Sequence, residues 1–463
     1  MSNGALPEYL RLAKPNPVGN RAPWYKNTAP TYAGIFLWVV FYQQIAANTL
    51  PQAGLLLSLL GLVVAAFICH YLFYLVPGLF GMKTGYPLYV VGSSTYGAKG
   101  GFIMPGLLMG ILQFGWLAVN IAISTQFILW AAGGTGTPGT PIFWIVAVLW
   151  GLAACFVGVL GIQYIAKVAS ILPIVPLLMI LIVFFRNVGS AASYAPPEGG
   201  NALLGFLAMI GIVVGFFATA GAAGVDFGMN NRNSKDVQMG GLVGIALAIV
   251  VAGGLPLVAI AGAHGANPAL AGVDEGFFFG TVIKQQGGFL AGSMFILFAI
   301  ASFAPAGFSS FIAANSIGTM FPRVNKMFMV LCGALVSIAL GATGAALKLP
   351  VVFNIIGASF GPICGAMAAD YLLSGRKWAG PREGINWAGY ISWAAGFLVA
   401  ILPSPLVGGD SFWYITPAPV IAFVIGFVVY AALAKAGFEP KAGALPVEGP
   451  AEARAEAAPV GAR

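Results

Sequence analysis

The sequence predicts an all-α integral membrane protein with twelve transmembrane helices, and three observations lead there. Only 7% of its 463 residues are Asp, Glu, Lys or Arg, while 59% are hydrophobic and the mean hydropathy is +0.91. Soluble domains carry about a quarter charged residues. Twelve apolar stretches approach the roughly 20 residues that a helix needs to cross a bilayer. The basic residues then sort by side. Counting loops alternately, 18 of the 21 Lys and Arg fall with the two termini, and only Arg186, Lys284 and Lys348 fall opposite. That asymmetry predicts both termini in the cytoplasm of a multi-pass plasma-membrane (bacterial inner-membrane) protein. The net charge of +8 is therefore topology. A soluble enzyme, a nucleic-acid-binding domain and a disordered chain are excluded.

Residues 1–30 are polar and Pro-rich and lack the order of a cleaved signal peptide. Span 1 (31–49) holds Phe41 and two mid-span amides, Gln43 and Gln44, which are costly against lipid and predict a cavity or a neighbouring helix as partner. Span 2 (54–78) is apolar apart from Ser58 and Cys69-His70, where a tucked or pore-facing imidazole is expected. Span 3 (103–130) places Gln113, Trp116 and Asn120 on one helical face by three- and four-residue spacing. Two readings stand there: a shelf for a planar, hydrogen-bonding ligand, or a Trp in helix packing with an amide bonded across helices. Spans 4 (142–162) and 5 (168–185) are apolar throughout.

Span 6 (203–225) carries Gly215, Gly221 and Gly224. They predict either close helix packing or a helix broken near its middle, with freed backbone groups lining a cavity. Spans 7 (240–263), 8 (289–313), 9 (327–345), 10 (350–372), 11 (387–403) and 12 (413–434) complete the set. The tail 435–463, rich in Ala, Glu, Pro and Gly, is expected to be disordered.

No Asp or Glu falls mid-span, and no His or Cys spacing suggests haem, iron–sulfur or zinc. No nucleophile with a positioned base is visible, so no catalytic residue and no cofactor is expected. Asp226, Arg232 and Asp370 sit at span ends. They predict ordinary span termination, with an ion-pair latch as the rival reading.

Several segments resemble the nucleobase:cation symporters, and within them the purine–cytosine permease and bacterial cytosine permease-like proteins. They are Gly81-Met-Lys-Thr-Gly85, Gly92-Ser-Ser-Thr-Tyr-Gly-Ala-Lys-Gly100, Gln113-Phe-Gly-Trp116, Val225-Asp-Phe with Asn231-Arg-Asn233, and Phe360-Gly-Pro-Ile-Cys-Gly-Ala-Met-Ala-Ala-Asp-Tyr-Leu372. The resemblance covers all twelve spans in order. It implies a five-plus-five inverted-repeat fold of the APC/LeuT type, with repeats over 31–185 and 203–372, two extra helices over 387–434, and helices 1 and 6 discontinuous. It implies a secondary transporter that imports a nucleobase or related planar nitrogen heterocycle by cation symport.

By the same resemblance, Trp116 stacks on the base, Gln113 hydrogen-bonds it and Phe217 closes the other face. Thr219 and Gly221 reach the base edge, and Phe41 and Gln43 line the cavity. Where the family has amides in span 8, this chain reads Ala299-Ile-Ala-Ser-Phe-Ala-Pro-Ala306. A sodium site there rests on Ser302 and backbone, with proton coupling or no coupling as alternatives. The expected partners are a small nucleobase-like substrate and the lipid bilayer, with no nucleic acid and no protein. A same-fold carrier of an amino acid is the alternative, and a membrane scaffold, channel or sensor a more distant one.

Overall fold

The computed structural model describes residues 6–160, 173–321 and 323–445. Among them twelve apolar helices follow in chain order. α1 comes in two pieces, Thr28–Phe36 and Val39–Tyr42. Then come α2 (Leu50–Thr84), α3 (Phe102–Ala131), α4 (Pro141–Leu160), α5 (Ile174–Asn187), α6 (Ala202–Ala222) and α7 (Ser234–Ala266). α8 is Gly288–Ala301 and Phe303–Met320, and α9 (Lys326–Ala342), α10 (Leu349–Leu373), α11 (Trp387–Ala400) and α12 (Ala418–Lys435) follow. All but α1, α9 and α11 are long and apolar enough to cross a membrane by themselves. The start of the expected fifth span, with Lys167, lies outside the described residues. Pairing among the described residues is otherwise limited to two isolated bridges, Ala22 with Asn231 and Arg382 with Ala442.

Burial separates centre from rim. In the apolar window of α10, 78% is buried inside the protein, against 17% for α5, so α10 runs through the middle and α5 faces outward.

Both repeats open on an interrupted helix. α1 bends at Leu37 and Trp38, and Trp38 takes extended backbone (φ −70°, ψ 130°). Neither residue is a breaker, so the bend is imposed from outside the segment. Beyond Tyr42 the expected helix to residue 49 gives way to turns. The Gln43 carbonyl and its side-chain oxygen accept the Phe279 and Gly280 N–H groups, each at 3.0 Å. These bonds replace partners that a continuous helix would supply. α6 is interrupted at Ala223, between Gly221 and Gly224, and resumes as one short turn, Gly224–Gly228.

Gly215, Gly221 and Gly224 of span 6 all sit at close contacts, and a Cβ on Gly224 would stand 2.9 Å from the Tyr74 ring. A Cβ on Gly215 would stand 2.5 Å from the Phe353 carbonyl of α10, and one on Gly221 would stand 2.9 Å from Phe73 Cβ of α2. All three permit close packing. Where α2 crosses the short turn after α6, a Cβ on Gly81 would meet the Val225 carbonyl and one on Gly228 the Gly78 carbonyl.

The face carrying the termini is laced together. Ser94 and Thr95 donate to Asp370 Oδ2 at 2.6 and 3.0 Å, and the Arg382 guanidinium pairs with Asp370 Oδ1 at 2.8 Å. Arg382 also donates to the Ser94 carbonyl and pairs with Glu439 at 2.9 Å, and the Tyr430 hydroxyl donates to Glu439 at 2.6 Å. Residues 436–445, expected as free tail, therefore pack here, because Arg382 is 4% exposed and draws a second carboxylate to it. The N-terminal arm is bound as well: Thr28 donates to Asn231 at 2.8 Å and Asn16 to Asn230 at 2.9 Å.

Asp226, Arg232 and Asp370 do not form a latch together. Arg232 pairs with Asp236 one turn on, Asp370 with Arg382, and Asp226 accepts the Leu88 N–H. All four cysteines are unpaired.

Candidate functional site

The bend in α1 turns Trp38 inward onto Trp116 of α3, with ring centroids 5.5 Å apart and planes at 62°. Phe216 of α6 meets the same Trp116 ring edge-on at 5.2 Å, and Phe353 of α10 lies 5.9 Å from it. These four rings, from four helices, form an aromatic box. The Trp116 indole N–H donates to Thr219 Oγ1 at 3.1 Å, a bond between α3 and α6. Trp38, Trp116, Phe216, Thr219 and Phe353 are each at most 8% exposed, so the box is closed to both faces. It holds no charged side chain. Asn120, one turn beyond Trp116, donates its amide to the Trp116 carbonyl at 3.0 Å. Its buried Oδ1 finds no donor among the described residues.

The expected site residues distribute unevenly. Trp116 and Thr219 meet. Phe217 does not face Trp116; it packs behind, 5.6 Å from Phe36 and 5.7 Å from Tyr32, and Phe216 takes the expected place. Helical spacing gives the reason. Phe216 and Thr219 are three apart and share a face, whereas Phe217 and Thr219 are two apart and point nearly opposite. Gly221 falls on Phe217's face, against α2, and so is not brought to the box. Phe41 supports the box from behind, its ring 5.0 Å from Phe216.

Gln113 is buried one turn from Trp116, with its amide toward Met109 Sδ at 3.5 Å. Gln43, further toward the face opposite the termini, accepts the Gly280 N–H through Oε1, while its buried Nε2 finds no acceptor among the described residues. Ser302 marks the interruption of α8, and its hydroxyl donates to the Phe298 carbonyl at 2.9 Å. Its oxygen lone pairs stay free for a hard cation. Among the described residues no three His, Cys, Asp or Glu side chains gather as a metal site, so neutral oxygens are the donors on offer.

Phe216, Phe353 and Trp38 were not singled out from sequence. The i, i+3 spacing from Thr219 would have found the first. Phe353 and Trp38 come from tertiary contacts that have no local signal.

On the face opposite the termini a cavity of about 450 Å³ opens between Gln44, Gln126, Glu275, Phe278 and Lys348. Gln44 closes one wall by donating to the Leu347 carbonyl at 2.7 Å. Burial holds the Glu275 carboxyl above its ordinary range, and nearby Lys284 offsets only part of that rise. The Lys284 ammonium itself lies 3.4 Å over the Trp130 ring.

No protein-family model matches the chain, and no curated protein matches it by sequence. Solved structures do match. Mhp1, a nucleobase-cation-symport-1 family transporter in a closed conformation with bromovinylhydantoin bound, superposes with a TM-score of 0.65 at 16% identity, over 96% of this chain and 98% of that one. The inward-facing conformation of Mhp1 gives 0.63 at 17% identity, over 96% of each chain. A substrate-bound, outward-open Na+-coupled sialic acid symporter gives 0.56 at 15% identity, over 95% of this chain and 93% of that one. The chain thus has the LeuT-like fold of these multi-pass membrane transporters, none of which is an enzyme.

Proposed function

We propose that this chain is a secondary transporter that imports a neutral planar nitrogen heterocycle of the cytosine, purine, uracil, hydantoin or allantoin class by cation symport and alternating access. The observation that carries the reading is the closed, uncharged aromatic box at the α1 bend, with an unpaired amide oxygen beside it. Rings suit a flat solute, which stacks for about 1–3 kcal/mol per base. Free amide groups read its edge for about 1 kcal/mol per hydrogen bond. An amino acid would need partners for two charges, and the box offers none. We place the face with the termini in the cytoplasm on the distribution of Lys and Arg, so that the 450 Å³ cavity is the outward approach. The coupling cation, sodium or proton, travels as cargo, and Ser302 with the α8 carbonyls is the site we assign to sodium.

The test is uptake of labelled cytosine, uracil, hypoxanthine, hydantoin and allantoin into proteoliposomes, under a sodium gradient, a proton gradient and neither. Saturable uptake of one ring, driven by one gradient, is the expected result. Trp116→Ala abolishes it; because emptying a buried indole site costs about 3–5 kcal/mol, a lower melting temperature is expected with it, and uptake is compared only for protein that still melts cooperatively. Uptake with unchanged kinetics in that variant would remove the box from the transport path.

A further inference from the structure

One polar atom in the box is left without a role by packing alone. Trp38 stands at the α1 bend as its extended residue, 5.5 Å from Trp116 and 6.2 Å from Phe216. It is 8% exposed, and its indole N–H finds no acceptor among the described residues. An indole N–H is a donor only, and buried donors almost always have a partner. The bend costs α1 its continuity and places this donor in the centre of the protein, although a phenylalanine would fill the same ring contacts.

We propose that Trp38 is a specificity-determining residue whose indole N–H donates to an exocyclic carbonyl oxygen of the transported ring. Asn120 complements it. Its amide N–H2 is committed to the Trp116 carbonyl, so the end it offers is the acceptor Oδ1. The Trp38 ring lies 5.5 Å from the Trp116 ring, and Asn120 sits one turn from Trp116 on α3, bonded to its carbonyl. Together this donor and this acceptor match a –NH–C(=O)– edge, the edge of a cyclic amide, imide or ureide. A ring without a carbonyl leaves the Trp38 donor buried and unpaired, and is rejected on that account. This inference rests on the transporter reading and narrows its substrate class.

The experiment is equilibrium binding of each transported heterocycle, and of the analogue with its carbonyl replaced by thiocarbonyl, a weak acceptor. Three proteins are compared: the parent, Trp38→Phe, and a chain with β-(3-benzothienyl)alanine at position 38, which keeps the bicyclic shape and lacks only the N–H. The parent binds the oxo ring about 10-fold tighter than the thio ring, the worth of one such bond. Both modified chains lose that preference, chiefly by weakening toward the oxo ring. The benzothienyl chain is isosteric and decides the matter should Trp38→Phe not fold.

Trp150 is the control. Its indole N–H is also unpaired, but it packs against Phe303 in a separate cluster with Leu117 and Ile338. Trp150→Phe leaves every affinity unchanged. An equal loss for oxo and thio rings at position 38 would show a packing role and overturn the inference while sparing the transporter. Failure of the parent to bind any heterocycle would overturn both.

Discussion

The hydrogen bond from Trp116 to Thr219 sets the character of the site at the scale of single residues. It holds α3 and α6 together across the box, so a solute entering between them must either replace it or leave it as one wall. Asp226 acts at the end of α6, where its carboxylate accepts the Leu88 N–H at 3.0 Å. Desolvation pushes its pKa up to about 6, against an ordinary value near 4. The folded protein therefore holds this proton more tightly than the unfolded chain does. Its contribution to stability is fully present below about pH 4 and is lost as pH rises through 6. Asp226→Asn keeps the acceptor for Leu88 and removes the charge. It should melt a few degrees above the parent at pH 7.5, with the gap closing toward pH 4.5. A gap equal at both pH values would refute the shifted carboxyl. At this scale the sequence was half legible. Trp116 stood out by type and spacing and Thr219 through the family resemblance, and the two side chains meet, but Phe216 and Phe217 are adjacent rings of one kind. Only the helical angle from Thr219 separates them.

Helix crossings depend on glycine where backbones touch. α2 and the turn after α6 meet at Gly81 and Gly228, and the atoms a Cβ at either would strike are the backbone carbonyls of Val225 and Gly78, which cannot swing aside. Gly81→Ala should therefore cost about 1–3 kcal/mol, the usual range for overpacking, and lower the melting temperature in detergent by several degrees. Gly115→Ala on α3 is the comparison, since nothing lies within 4 Å of its Cβ position. It should be neutral or slightly stabilising, as alanine is the better helix former. Equal melting temperatures for the two variants would refute the crossing as drawn. The break in α6 was readable because Gly221 and Gly224 bracket it. The break in α1 followed from the family resemblance alone, because no breaker sits at Leu37 or Trp38. There the bend is held by Trp116, Phe216 and the distant Phe279–Gly280 backbone, which no local pattern announces.

For the molecule as a whole, hydropathy and basic residues were enough to lay out twelve spans, because lipid forces every crossing to be long, apolar and internally hydrogen-bonded. The tail after α12 departs from the expected disorder over 436–445, its remainder, 446–463, lying outside the described residues. The ordered stretch is held by contacts to a loop far away in sequence: Glu439 answers the buried Arg382, and the Lys441 carbonyl and Gly443 N–H pair with the backbone of Glu383 and Pro381. Glu439→Gln leaves Arg382 with Asp370 alone. It should cost about 1–2 kcal/mol, since Glu439 itself is partly exposed. A lower melting temperature with little change in substrate affinity is the expected outcome, and an unchanged melt would mean the contact is slack.

The same junction has a bearing on synthesis. Ser94, Asp370 and Arg382 emerge from the ribosome long before Glu439, which follows the twelfth helix. A chain stalled after α12 has started would carry the arginine with its second carboxylate still missing. Only translation past Glu439 supplies that carboxylate, so this junction closes after the twelfth helix has been made.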